Sequence, residues 1–255
     1  MSKLLSASVA TAFSLFLIAP PAWSETAVID NPVDWPTQCA PNVEPTAADL
    51  AFQRMGKLTE AEMTPAQHEA ALKIASGPRG CIFGPFAVLQ RSPEVLTRLQ
   101  LLGEYLRFKS ILPQHLREFA MLMTGRYVAA PYIWYIHQPI ALQHGVTPAQ
   151  VAALAKQERP AQLDDDEAVV YDVLDELHRR NEVSDKVYAR ARARFGEDGI
   201  VELVALDGYL AVIGRELNTA RLAVPASVRI PFAAPWENAS PTASQTTSQT
   251  ASRTE

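Results

Sequence analysis

The sequence predicts an all-α protein, and three observations carry that prediction. Between residues 46 and 225 there is hardly any strand signal, helix starts of the form Thr-Pro or Ser-Pro recur, and apolar residues return at helical spacing. A composition that is 48% hydrophobic and 20% charged suits a globular protein, and a net charge of −5 argues against nucleic-acid binding, which needs a basic surface.

The elements follow in order. Thr46 is an N-cap, and its helix is expected to reach about Lys57. Thr64-Pro65 opens a second helix, with proline at the first position where its missing N–H costs nothing. Ser76 to Phe86 is a loop dense in glycine and proline, and Ser92-Pro93-Glu94 starts a helix to about Lys109. After Ser110 and Pro113, a helix over about 113–127 carries Leu116, Ala120, Met123 and Tyr127 at helical spacing. Ala130-Pro131 marks a short turn, which makes the next helix an antiparallel neighbour of the one before. That helix reaches about His144, contains Pro139 as a kink point, and stops at Gly145 as a left-handed cap. Thr147-Pro148-Ala149-Gln150 is a capping box for a short helix ending near Gln157. Residues 164–180 form a helix with acids crowding its start and His178, Arg179 and Arg180 its end, which the macrodipole alone explains. Ser184 caps a helix ending at Gly196. The last helix, about 198–222, is apolar on most sides through Ile200, Leu203, Val204, Leu210, Ile213 and Leu217, so it is buried within the protomer or between protomers.

The ends differ from this. Lys3, the apolar run from Leu4 to Pro20, and Ala22-Trp23-Ser24 before Glu25 read as a secretory signal peptide over 1–24, giving a periplasmic or secreted protein with no membrane association after cleavage. Residues 25–45 are expected to be an extended arm, 46–230 a single helical domain, and 237–255 a disordered Ser/Thr-rich tail. In an oxidising compartment Cys39 and Cys81 are expected to pair, adding roughly 4 kcal/mol in the chain-entropy model. Neither lies in a CxxC motif, so neither reads as a redox catalyst.

Glu118 and His137 are the chemistry-bearing pair. They lie on the two helices flanking the short turn, 19 positions apart, and some register of an antiparallel pair brings them together. Trp134, His137, Ala141 and His144 share one face, so His137 faces packing and not bulk water. A partly buried imidazole beside a carboxylate trades protons near neutrality, whereas a core histidine held by one hydrogen bond has the same spacing, and spacing alone favours the core reading; for Glu118, whose alternative is a surface carboxylate paired with Arg117 or Arg126, spacing does not choose. His115, Glu118, His137 and His144 are ligand types, but HxxxH, ExxH and HExxH are all absent, and no metal is expected.

The segment LREFAMLMTGRYVAAPYIWYIHQPIALQHGVTPAQVAAL resembles the carboxymuconolactone decarboxylase-like family, which includes the AhpD alkylhydroperoxidases. Arg117-Glu118, Tyr132-x-Trp134-x-x-His137, Ala141 and Gly145 carry the resemblance. GPFAVLQRSPEVLTRLQLLGEYLRF upstream and FGEDGIVELVALDGYLAVIGRELNTARLAVP downstream are similar to the longer, single-chain branch, so the likeness covers roughly residues 80–225.

The resemblance implies an AhpD-like helical bundle built on an antiparallel helical hairpin and assembled as a homo-oligomer, a trimer or hexamer. It implies catalysis by Glu118 and His137 on a small organic acid or lactone; Tyr132, Trp134, Tyr105 and Phe86 are candidates for lining the pocket, each with an equally good reading as core. In the peroxidases a CxxC precedes the histidine, and those positions here are Ala130 and Ile133, so thiol relay chemistry is disfavoured. What remains is a lyase or decarboxylase-type acid–base enzyme that needs no cofactor. His137 would protonate a carbanionic intermediate, Glu118 would orient it, and Arg107, Arg117 or Arg126 would hold a carboxylate. The alternatives on the same fold are a non-catalytic periplasmic binding or assembly protein and, less favoured, a peroxide-related activity.

Overall fold

Capping chemistry sets most element boundaries in the computed structural model, which describes residues 45–237. Among the described residues the helices are α1 (Ala47–Leu50), α2 (Pro65–Ala75), α3 (Pro85–Leu89), α4 (Pro93–Phe108), α5 (Gln114–Tyr127), α6 (Pro131–Gln143), α7 (Pro148–Ala155), α8 (Asp165–Arg180) and α9 (Asp185–Ala220), with no strand. Reciprocal capping boxes start α1 at Thr46, α2 at Thr64, α7 at Thr147 and α8 at Asp164. Proline occupies an opening position of α2, α3, α4, α6 and α7. The signal peptide, the arm up to Glu44, Cys39 and the tail beyond Glu237 lie outside the described residues. Cys81 is buried, and its expected pairing with Cys39 therefore falls outside them too.

Two boundaries differ from expectation. The first helix ends at Leu50, well short of Lys57. The following residues are drawn instead to the end of α9: the Arg54 N–H donates to Ala220 O at 2.8 Å, and Gln53 Oε1 accepts from Ala223 N at 3.2 Å. Part of the Gly/Pro-rich loop also folds, as the single-turn α3, with all of Phe86, Ala87, Val88 and Leu89 buried. Within α9, Gly196 has φ +71° and ψ 180°, so the element is two helices meeting at this residue, as its glycine suggested.

α5 is the axis of the bundle. It packs against α6, α7, α8 and α9, and every residue from Leu116 to Gly125 is buried. The spacing pointed to one apolar face, but the helix is enclosed on all sides, so its polar residues need partners. Arg117 Nη1 donates to Leu112 O at 2.7 Å and to Ser110 O at 3.2 Å, and Thr124 Oγ1 donates to Asp207 Oδ1 at 2.7 Å.

The turn from α5 to α6 sets the register of the pair. Ala129 takes a left-handed φ of +47°, the Ala130 N–H reaches back to Gly125 O at 2.8 Å, and Asn218 Nδ2 of α9 donates to Val128 O at 2.8 Å. A left-handed alanine costs on the order of 1 kcal/mol, which these bonds offset. Gly125 lets the helices close: a Cβ there would stand 2.6 Å from Ile133 Cγ2.

Candidate functional site

The hairpin register brings Glu118 and His137 into direct contact. Glu118 Oε2 lies 2.8 Å from His137 Nδ1, with Glu118 1% and His137 8% exposed. Burial pushes the Glu118 carboxyl up, but His137 through its charge and hydrogen bond, with help from Arg107 and His144, outweighs that and holds it below its ordinary value. Glu118 is therefore a carboxylate near neutral pH. A carboxylate only accepts, so Nδ1 of His137 carries the proton of this bond.

His137 borders a cavity of about 60 Å³ between the helices. That space suits a few water molecules or a compact headgroup; a benzene-sized guest needs a cavity of about 150 Å³. Its walls are mostly apolar and include the expected Phe86 and Tyr132. Arg107, an expected carboxylate partner, lines it too, together with Arg79 and Tyr209, which the sequence had not marked. Arg79 sits in the Gly/Pro-rich loop and Tyr209 among the apolar residues of α9. The available signals were a lone cation in a loop adjoining core and a polar-tipped aromatic on a buried face, and neither specifies a site by itself.

Three expected pocket residues lie elsewhere. Tyr105 is 43% exposed and donates to Glu202 Oε1 at 2.6 Å, helping to pin the loop before α5, whose Ile111 N–H meets Glu202 Oε2 at 2.9 Å. Trp134 is fully buried away from the cavity, bonded to Gln138 Oε1 at 3.0 Å and edge-on to Phe232 with ring centroids 5.4 Å apart. Arg126 donates to Ala155 O at 2.6 Å and stacks over Phe232 at 4.7 Å. Helical spacing named the face each occupies but not the segment that covers it. Arg117, as described, is committed to backbone carbonyls.

His144 contacts Gln114 Nε2 at 3.0 Å, and among the described residues no three His, Cys, Asp or Glu side chains gather in a metal-holding group. His178 is more than a dipole partner. Its Nε2 lies 2.7 Å from Asp207 Oδ1, its ring stacks on Tyr127 at 4.0 Å, and Asp207 thereby ties α5, α8 and α9 together.

Tyr209 depends on a glycine. A Cβ on Gly103 of α4 would fall inside the Tyr209 phenol. Gly103→Ala is therefore expected to push Tyr209 out of position and to cost about 1–3 kcal/mol as overpacking, read as a lowered thermal midpoint; an unchanged midpoint would show that the phenol moves freely.

No family model matches the chain, and no curated protein matches it. Solved structures do. An AhpD core structure, a peroxidase-related protein from Ralstonia eutropha JMP134, superposes with a TM-score of 0.56 at 15% identity, covering 69% of this chain and 93% of that one. A protein of unknown function from Agrobacterium tumefaciens, proposed as an AhpD antioxidant defence protein, gives a TM-score of 0.47 at 16% identity over 54% of this chain and 95% of its own. The first match agrees with the hairpin-based helical bundle seen here, and the chain thus has the AhpD-like fold.

Proposed function

We propose that this chain is an exported acid–base enzyme of the carboxymuconolactone decarboxylase-like kind, acting on a small organic acid or lactone without a thiol or cofactor. The observation that carries this is the buried Glu118–His137 pair, whose histidine lies on the wall of a cavity. With Nδ1 engaged by the carboxylate, Nε2 is the ring nitrogen left to exchange a proton with a ligand. Glu118 stabilises the imidazolium and fixes its orientation. In a decarboxylation the C–C bond to the carboxyl group breaks, carbon dioxide leaves, the electron pair passes into the adjacent unsaturated system, and His137 delivers the proton to carbon. Ala130 and Ile133, where thiol enzymes of this fold place cysteines, leave the pair no thiolate to serve. Assembly with further copies of the chain belongs to the same proposal, supported by apolar side chains exposed on adjoining helices: Leu101 and Leu102 on α4, Val201, Val204 and Val212 on α9.

A screen of lactones, keto acids and aromatic acids against wild type and His137→Ala tests the proposal. Turnover is expected in wild type, with a fall of about 10²–10⁴-fold in the variant. Turnover untouched by the substitution removes His137 from catalysis. The small volume of the cavity favours one competing reading, a binding protein in which the pair is a buried hydrogen bond only. Ligand binding with no turnover across the panel would support it.

A further inference from the structure

The cavity beside His137 is lined by cations at one part of its wall. Two guanidinium groups, Arg79 and Arg107, line it, and no Asp or Glu does. Arg79 is 5% exposed, and its Nε has no hydrogen-bond partner. Its guanidinium lies 4.5 Å from the centroid of Phe86 and 5.8 Å from that of Phe108, and the Arg107 guanidinium is 5.7 Å from the same Phe108 ring. The two cations thus share one aromatic neighbour. Burial is the chief influence lowering the affinity of Arg79 for its proton; Tyr209 opposes it, Arg107 adds to it, and Glu104 opposes it less. The Tyr209 hydroxyl is a further polar group nearby. Its phenol is pushed up by burial and pulled down by both arginines, which places all three in one electrostatic neighbourhood.

A buried guanidinium lacking a full set of partners is costly, and a neighbouring cation adds to the cost. An anion bound beside Arg79 would supply the partner that its Nε lacks. A guanidinium fork meets a planar carboxylate with two parallel N–H donors, and a phenol hydroxyl can add a third. The apolar remainder of the cavity suits the carbon skeleton attached to that carboxylate, and the volume of about 60 Å³ restricts it to a small one.

We infer that Arg79, with Arg107 and Tyr209, forms an anion subsite that seats the carboxylate of a small organic acid in the same cavity as His137. This rests on the proposed function for the identity of the ligand class, but not for the existence of the subsite. Arg79 is the specificity-determining residue: it selects the acid over its neutral amide. Arg107 adds charge nearer Glu118, whose carboxylate it helps hold ionised.

The test is thermal-shift and calorimetric titration of the full chain with acetate and pyruvate, with acetamide as the neutral isostere and inorganic phosphate as a tetrahedral anion. The proteins are wild type, Arg79→Gln, Arg79→Met and His137→Ala. Wild type is expected to be stabilised by the carboxylates and not by acetamide, and to respond less to phosphate. Arg79→Gln and Arg79→Met are expected to bind the carboxylates roughly 10- to 100-fold more weakly. Their own midpoints without ligand should equal or exceed that of wild type, because a costly buried charge has gone. A purely structural arginine would lower those midpoints and leave carboxylate binding intact. Carboxylate binding retained in His137→Ala, together with its loss in the Arg79 variants, establishes the subsite even if no turnover is ever found. Equal binding by wild type and Arg79→Gln, equal response to acetate and acetamide, a stronger response to phosphate, or no response of wild type to either carboxylate overturns the inference.

Discussion

His137→Ala is expected to destabilise the protein by about 3–5 kcal/mol at neutral pH, because it strands the Glu118 carboxylate inside the bundle. The sign of the pH dependence distinguishes this from simple loss of packing. In wild type the folded-state value of Glu118 lies below its unfolded value of about 4.5, so its contribution is present above that pH and is lost as the pH falls through the folded value. In the variant, the imidazole's charge and hydrogen bond are gone and burial, the largest single influence, pushes Glu118 upward. Protonation then favours the folded state as the pH falls. The stability gap between wild type and variant should therefore narrow from pH 7 towards pH 4, as followed by urea denaturation. A gap independent of pH would mean that the carboxylate is not the stranded group. Glu118→Gln keeps shape and one hydrogen bond while removing the charge, and it should cost less than His137→Ala.

Trp134→Ala is expected to cost about 3–5 kcal/mol as well, for a different reason. Its indole is fully buried against Phe232 and hydrogen-bonded to Gln138, so truncation opens a cavity between α6 and the chain after α9. Because Trp134 faces away from the cavity that His137 lines, binding of small carboxylates to the protein that remains folded should be unchanged. A large loss of stability with unaltered binding is the expected result in a melt and titration at a temperature well below the variant's midpoint. A loss of binding without a loss of stability would return Trp134 to the pocket.

These two residues mark what the sequence makes legible. Glu118 and His137 were found because their meeting depends on local facts: two helices, a short Ala-Pro turn, and a separation of 19 residues. The helix start at Thr64-Pro65, the capping box at Thr147 and the break at Gly196 were legible for the same reason, since caps and glycine breaks act within one turn. Trp134 and His137 share a helix face in sequence, yet one meets Phe232 and the other meets the cavity. Which segment covers a face is decided by residues far away in the chain. Arg79 and Tyr209 are 130 positions apart, and only the packing of the 76–84 loop and α4 against α9 joins them. Tyr105 had an aromatic residue's usual claim to a pocket, and Glu202 on α9 drew it outward instead.

The central claim is that the Glu118–His137 pair moves protons to and from carbon, and its most direct test is solvent isotope exchange. Small organic acids and lactones bearing acidic C–H bonds are incubated with the protein in D₂O, and deuterium entering the carbon skeleton of substrate or product is followed by proton NMR. The account predicts enzyme-dependent incorporation in wild type that falls by about 10²–10⁴-fold in His137→Ala while the variant remains folded. Incorporation at the same rate in wild type and in His137→Ala would contradict it.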